Sequence, residues 1–294
     1  MDISSWSAIS ADLTKYPRTP HLAGSRLQAG DEGGGQVPYS AIAGRHIVVE
    51  EKFDGANSGL SFSAGGELML QSRGHYLVGG GRERQFSLFK KWAVAHESVL
   101  LQRLEDRYIV FGEWMGKKHS VFYDALPHYH LEFDVLDRRS GRYLSTAARA
   151  ALLHGLPVLP VPVLYRGRAP RKLGDLLALI RPSLGKTPRW RAAFEQTIER
   201  ERLDLARAWK MSDQSDLAEG LYLKVEEDDR VVERLKFVRS DFVQAILDAN
   251  VHHADQPFVP NLLAPDVDIF APQLGMGWED RGLRTVTDNA AGAG

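Results

Sequence analysis

The sequence predicts an α+β fold with antiparallel sheets and flanking helices, on three observations. Short strand-like runs come in neighbouring pairs joined by tight turns. Helical spacing is confined to a few separate stretches. The two kinds of segment do not alternate as parallel βαβ units would. HIVVEE from His46, SGLSF from Ser58 and ELMLQS from Glu67 read as strands, with Gly65–Gly66 turning the last two into a hairpin. Phe86, Phe89, Trp92, Leu100 and Leu104 recur at helical spacing across 85–105. RYIVFGEW and HLEFDVLD return to strand. Ser145 to Leu153 reads as a helix with Ser145 as N-cap and Gly155 as stop. Residues 171–180 and 190–209 read as polar surface helices. LYLKVEE and VVERLKFV form a hairpin around Asp228–Asp229, and Ser240 caps a last helix through Asp248. The expected organisation is an irregular lead-in over 1–43, a catalytic domain over 44–245, and a short helical and irregular C-terminal tail over 246–294, ending in a disordered NAAGAG.

Composition narrows the function classes. The chain has 294 residues, 44% of them hydrophobic and 26% charged, enough to bury a substantial core. No stretch reaches the roughly 20 apolar residues that cross a bilayer. The opening MDISSWSAISADLTKYPRTP lacks the basic-then-apolar order of a secretory signal. There is no cysteine, which excludes disulfides, thiolate zinc sites and cysteine nucleophiles and suits a reducing cytoplasm. A cytoplasmic monomer without a membrane partner is expected. The net charge of −1 supplies no global basic field, so nucleic acid would have to be held by local patches. Arg82–Arg84 with Lys90–Lys91, Lys117–Lys118, and the run 181–191 are the candidates, each equally readable as a solvated face.

The segment that carries chemistry is Glu50-Glu51-Lys52-Phe53-Asp54-Gly55-Ala56-Asn57. A lysine ends a strand and Asp-Gly follows. Alternation puts Lys52 and Asp54 on one face, and Gly55 allows a turn or a close approach. Alone, K-x-D-G is also what a surface strand end with a turn would produce. His119, His128, His130 and Asp124 fit no metal-ligand spacing. Gly79–Gly81 is no phosphate loop, because no Gly-Lys-Ser/Thr follows.

Further segments follow K-x-D-G in order: F-G-E-W with Glu113, L-E-F-D-V-L-D with Phe133 and Asp134, E-G-L-Y-L-K with Glu219 and Lys224, and R-L-K-F with Arg234 and Lys236. On this ordered set the chain resembles the covalent nucleotidyltransferases, the superfamily of polynucleotide ligases and capping enzymes. Within it the chain is most similar to ATP-dependent RNA ligases of the nick-sealing phage type, through Asn57, Arg73 in Q-S-R-G, and the stretch from Gly112 to Tyr129. One departure is Arg234, where the family's last motif usually has lysine; arginine keeps the charge and changes the geometry of phosphate contact.

The resemblance implies a nucleotidyltransferase fold and an RNA-repair enzyme that joins 5′-phosphate and 3′-hydroxyl ends through a lysyl-AMP intermediate. Lys52 would be the nucleophile. ATP would be bound by Glu51, Asp54, Gly55, Asn57, Arg73, Glu113, Phe133, Lys224, Arg234 and Lys236. Mg²⁺ (or Mn²⁺) would be held mostly through water by Asp54, Asn57, Glu113 and Glu219. RNA is the implied partner, with a separate end-healing kinase or phosphatase as a further one. Phe133 would stack on adenine, although an aromatic in an alternating strand reads equally as core. A DNA ligase, a capping guanylyltransferase and a non-catalytic RNA-binding protein of the same fold remain the alternatives. The chemistry explains the residue types. A lysine amine near neutrality has no lone pair to attack phosphorus, and taking its pKa from ~10.4 down by ~3 costs roughly 4 kcal/mol. A bound cation favours that change and a carboxylate opposes it.

Overall fold

Two sheets carry the chain, and the charged face of one looks onto the other. The computed structural model describes residues 13–27, 35–242 and 257–287. In chain order the strands are β1 His21–Leu22, β2 Gln36–Val37, β3 His46–Lys52, β4 Ala56–Phe62, β5 Leu68–Ser72, β6 Tyr108–Trp114, β7 His130–Asp137, β8 Arg142–Tyr143, β9 Leu159–Pro160, β10 Val163–Arg168, β11 Gly220–Glu227, β12 Arg230–Val238 and β13 Val286–Thr287. The first sheet has the order β13-β10-β3-β11-β12-β1-β2, and the second β5-β4-β6-β7-β8 with β9 also on β7. The main pairings are antiparallel, as expected. Short edge strands add parallel pairs, β1 to β12 and β2, β13 to β10, and β9 to β7.

Strand alternation explains the first sheet. Ile47 and Val49 of β3, Leu221, Leu223 and Val225 of β11, and Leu235 and Phe237 of β12 pack in one apolar cluster with Leu176. The intervening residues, Glu50 and Lys52, Tyr222 and Lys224, Arg234 and Lys236, therefore share the opposite face. A second apolar cluster joins β4, β6 and β7 to the helices Ser87–Ala95 and Glu97–Leu104 through Phe62, Phe89, Trp92, Leu100 and Val110.

Between the sheets the bond is ionic. Arg149, from the helix Thr146–Leu153, reaches Glu50 of β3 at 2.6 Å and Glu132 of β7 at 2.7 Å. Lys224 meets Glu50 at 2.8 Å and Asp134 at 3.5 Å, and donates to the Phe133 carbonyl. Arg234 donates to Asp134 at 2.7 Å and lies 3.7 Å over the Tyr143 ring. Burial alone would penalise the Asp134 carboxylate, but Lys224 and Arg234 hold it below the usual range, and Glu132 and Glu50 likewise hold the Arg149 charge against its burial.

Several expected elements differ in extent. Residues 85–105 form a 3-10 turn, Gly81–Phe86, and two helices broken at His96, whose Nε2 pairs with the Ile269 carbonyl at 3.1 Å. The 190–209 stretch splits into Trp190–Arg200 and Leu205–Lys210, because Arg202 takes a positive φ of 55° and Asp204 caps the second piece. The 171–180 stretch keeps a helix only over Leu173–Leu177. Ser145 caps as expected, accepting from Ala148 N–H at 3.2 Å. β10 went unread because Arg166, Gly167 and Arg168 interrupt any alternation; pairing with β3 makes it a strand. The lead-in holds β1 and β2, which extend the first sheet. The expected last helix lies, after Phe242, outside the described residues, as does NAAGAG. No described helix is long and apolar enough to cross a membrane.

Candidate active site

β3 delivers Lys52 to the mouth of a cavity of about 860 Å³, lined from both sheets by Lys52, Asp54, Asn57, Glu113, Phe133, Glu219 and Lys236, among others. That is ample room for a nucleotide. The first sheet supplies Lys52 and Lys236, and Glu219 stands one residue before β11. β4 supplies Asn57, β6 Glu113 and β7 Phe133. Lys52 stands opposite Gly220 in the β3–β11 ladder, which brings Glu219 alongside it. Asn57 stands opposite Glu113 between β4 and β6. The two halves thus meet at the Lys52 amine.

Glycine makes the approach. A Cβ on Gly55 would sit 2.7 Å from Met115 Sδ and 2.8 Å from the Trp114 carbonyl, so only glycine lets the loop after Lys52 lie against the end of β6. The close approach is to protein, and the Gly55 N–H donates to Glu113 at 3.0 Å. Asp54 lies beyond the end of β3. Its Oδ2 accepts from the amides of Ser120 at 2.6 Å and Val121 at 2.9 Å, and its N–H donates to the Tyr123 hydroxyl at 2.9 Å.

Lys52 donates to Glu219 Oε2 at 2.6 Å; its side chain is 24% exposed against 2% for the glutamate. Burial lowers the Lys52 pKa, but the attraction of Glu219 and Glu113 prevails and leaves it raised. Burial pushes Glu113 up to about 8 and Glu219 up to about 7, against the pull of Lys52. Lys236 also draws Glu219 downwards. The protein alone therefore holds Lys52 as an ammonium at neutral pH. Asn57 Oδ1 is buried with no hydrogen-bond partner among the described residues. Together with the carboxylates of Asp54, Glu113 and Glu219 it makes an all-oxygen donor set, which suits a hard divalent cation. Among the described residues no three His, Asp or Glu side chains converge as a direct metal cage, so the fit is to an ion carrying its own waters.

The other expected residues divide. Phe133 is half-buried, lines the cavity, and packs edge-on against Tyr16 at 5.0 Å. Arg73 lines the cavity and is exposed, one residue past the end of β5 rather than on it. Glu51 lines the cavity as well, buried, bonded to the Ser183 hydroxyl and to Leu184 N–H at 3.1 Å, and pushed by burial to about 7. Lys224 and Arg234 do not line the cavity. Both are turned into the ionic seam on Glu50 and Asp134, because a buried cation must sit where its counter-charges are. Their expected phosphate contacts concern a bound nucleotide; in this structure both cations are occupied by carboxylates.

Two expected basic patches also change. Lys117 and Lys118 are buried, and the Lys118 amine donates to the carbonyls of His119 and Met211. In the 181–191 run, Lys186 is buried against Ser215 O and Arg191 pairs with Asp216. His119 lines the cavity, whereas His128 and His130 are in the core. Tyr222 and Glu50, also lining the cavity, were missed although each lies two residues from a chosen lysine on the same strand face. Tyr16 carried no signal in the sequence.

The RNA ligase family profile matches residues 45–238. The chain belongs to the RNA ligase family. No curated protein matches it. Among solved RNA ligases, a ligand-free mutant from Naegleria gruberi is 17% identical over 68% of this chain and 51% of its own, with a TM-score of 0.44. A mutant of the Naegleria gruberi RNA ligase with AMP and Mn is 16% identical over 78% and 60%, with a TM-score of 0.45. An archaeal ATP-dependent RNA ligase is 17% identical over 77% and 48%, with a TM-score of 0.44. The chain thus spans about half the length of the first of these. The family match runs from just before β3 to the end of β12 and so includes Glu219 and every strand that supplies Lys52, Glu113, Phe133 and Lys236.

Proposed function

We propose that this protein is an ATP-dependent RNA ligase that joins 5′-phosphate to 3′-hydroxyl ends through a lysyl-AMP intermediate on Lys52. The observation that carries the reading is the Lys52 amine, 2.6 Å from Glu219, at a cavity lined by the other family-motif carboxylates. In the first step the Lys52 Nζ passes a proton to Glu219 Oε2, whose raised affinity suits it as acceptor, and attacks the α-phosphate of ATP. The N–P bond forms, the bond to the β-phosphate oxygen breaks, and pyrophosphate leaves, while the second proton on the nitrogen goes to solvent to give the phosphoramidate. AMP then passes to a 5′-phosphate end, and the 3′-hydroxyl displaces it. Dividing the condensation this way replaces one difficult step with easier displacements.

Asp54, Asn57, Glu113 and Glu219 would hold a hydrated Mg²⁺ (or Mn²⁺). When bound, the ion supplies positive charge that favours the neutral amine and offsets charge on the phosphates. Phe133 forms a wall against which adenine stacks, with Glu51 of β3 and Gly55 of the loop after it on the cavity lining. Arg73 and Lys236 neutralise phosphate charge. Lys224 and Arg234 hold the sheets together around the site. RNA rather than DNA ends, the nick-sealing phage type, monomeric action in the cytoplasm and a separate end-healing enzyme belong to the same proposal. Intact-mass measurement after incubation with ATP and Mg²⁺ tests it. One AMP is expected, mapped to Lys52, stable to alkali and labile to acid. No adduct, or an adduct on Lys236, overturns it. Nicks differing only in the sugar of the 3′-terminal nucleotides then separate RNA from DNA sealing.

A further inference from the structure

The chain after residue 238 lies outside the stretch matched by the family profile, yet within it the described residues 257–287 pack behind the Lys52 loop. Asn261 is fully buried. Its Oδ1 accepts from Tyr123 N–H at 3.0 Å, its Nδ2 donates to the Met115 carbonyl at 2.8 Å, and its own carbonyl accepts from the Tyr129 hydroxyl at 2.7 Å. On either side, Lys118 N–H donates to Val259 O at 2.8 Å and Leu262 N–H donates to Tyr123 O at 2.9 Å. These bonds pin the segment 115–126 along its length. That segment provides the Ser120 and Val121 amides that hold the Asp54 carboxylate, and the Tyr123 hydroxyl that accepts from Asp54 N–H.

Trp278 provides a second path. Its indole N–H donates to Pro160 O at 2.7 Å, and its ring lies 5.4 Å from that of Phe53, which in turn lies 5.2 Å from Tyr123. Phe53 is the residue between Lys52 and Asp54. Trp278 is 3% exposed, and neither it nor Asn261 is among the residues that line the cavity.

We infer that residues 257–287 are a positioning element of the active site: Asn261 and Trp278, acting through Tyr123 and Phe53, hold Lys52 and Asp54 in register with the second sheet. The inference rests on Lys52 being the nucleophile proposed above. β3 ends at Lys52, so the loop that carries Asp54 has no ladder of its own and takes its geometry from what packs against it. A nucleophile displaced by a fraction of an ångström loses rate at saturating substrate, while contacts to a bound nucleotide made elsewhere are unaffected.

The test measures adenylylation of the full chain with ATP and Mg²⁺, separating the rate at saturating ATP from the KM for ATP. Trp278→Leu should lower the saturating rate roughly tenfold or more with KM changed by less than about twofold. Trp278→Phe, which keeps a ring against Phe53, should recover to within about threefold of the wild type. In a double-mutant cycle, the losses from Phe53→Leu and Trp278→Leu should combine to less than their sum, since both remove the contact between the two rings. Should Trp278→Leu fail to fold, Asn261→Ser reads the same quantity, and a lowered saturating rate at constant KM supports the inference. A folded Trp278→Leu or Asn261→Ser that adenylylates at the wild-type rate, or a loss confined to KM, overturns it. Wild-type protein that takes up no AMP overturns the proposed function and this inference with it. Wild-type protein that takes up AMP beside unaffected variants overturns the inference alone.

Discussion

Lys52 is surrounded by acids that hold its proton, so each change at this residue has a direction. Glu219→Gln removes the carboxylate bonded to the amine at 2.6 Å, which should lower the Lys52 pKa. Lys52 should then react faster with a small amine-directed reagent at pH 7–8 in the absence of ATP. The same variant should adenylylate more slowly, having lost its proton acceptor. Peptide mapping of the labelled lysine checks the first result, and an unchanged labelling rate would remove Glu219 from the amine's surroundings. Lys52→Ala should not join an ordinary 5′-phosphate end with ATP, yet should still seal a strand supplied already adenylylated, because Glu113, Glu219 and Lys236 remain. Side-by-side assay of both substrates decides; joining of the ordinary end by Lys52→Ala would rule out the covalent route.

Among the elements, the seam between the two sheets is the unusual one. Arg149 on the helix Thr146–Leu153 is tied to both Glu50 and Glu132, and all three side chains are almost fully buried. Removing one member strands charges in the interior. Arg149→Ala should therefore cost roughly 3–5 kcal/mol of stability by denaturant unfolding. Replacing Arg149, Glu50 and Glu132 together with apolar residues of similar volume should cost much less. If Arg149→Ala unfolds like the wild type, the seam does not hold the sheets. The motif lysine Lys224 belongs here too. Its position on the inward face followed from alternation in LYLKVEE, but its partner could not be read, because Asp134 is 90 residues away in the chain. The helix boundaries at His96 and Arg202 were hidden for a similar reason. Neither residue is Gly or Pro, and the break at His96 coincides with its contact to Ile269 from the C-terminal segment.

Across the whole molecule, buried titratable groups pull stability in two directions. Burial lowers His128 to about 4 and His130 to about 3, both from 6.5, and His130 packs against both Phe89 and Trp92 with neither ring nitrogen bonded among the described residues. The unfolded chain binds these protons first. Their contribution is thus present above pH 6.5 and is lost as pH falls towards 4 and 3. Glu51, Glu113 and Glu219, raised to about 7, about 8 and about 7, act oppositely. Their contribution is present below 4.5 and is lost as pH rises through 7 to 8. A difference measurement isolates the histidine. Relative to the wild type, His130→Leu should gain on the order of 2–3 kcal/mol between pH 7 and 4.5. Parallel melting curves at the two pH values check this, and a constant difference in Tm would mean that His130 binds its proton equally well in the folded and unfolded chain.

By itself the sequence determined the local quantities. The strands β3 to β7, β11 and β12 were legible because a two-residue repeat and tight turns are local properties, and Lys52, Glu113 and Glu219 were legible as members of ordered short motifs. Which charged residues face the cavity and which face each other was decided only by tertiary structure. Lys224 and Lys236 lie on the same face of adjacent strands with the same chemistry, yet one is sealed against Glu50 and Asp134 and the other lines the cavity. The support from Tyr16, Asn261 and Trp278 was likewise invisible, since nothing local distinguishes a tyrosine, asparagine or tryptophan that ends up against the site from one in any loop. A residue's face depends on the backbone beside it, but its partner depends on where the rest of the chain returns.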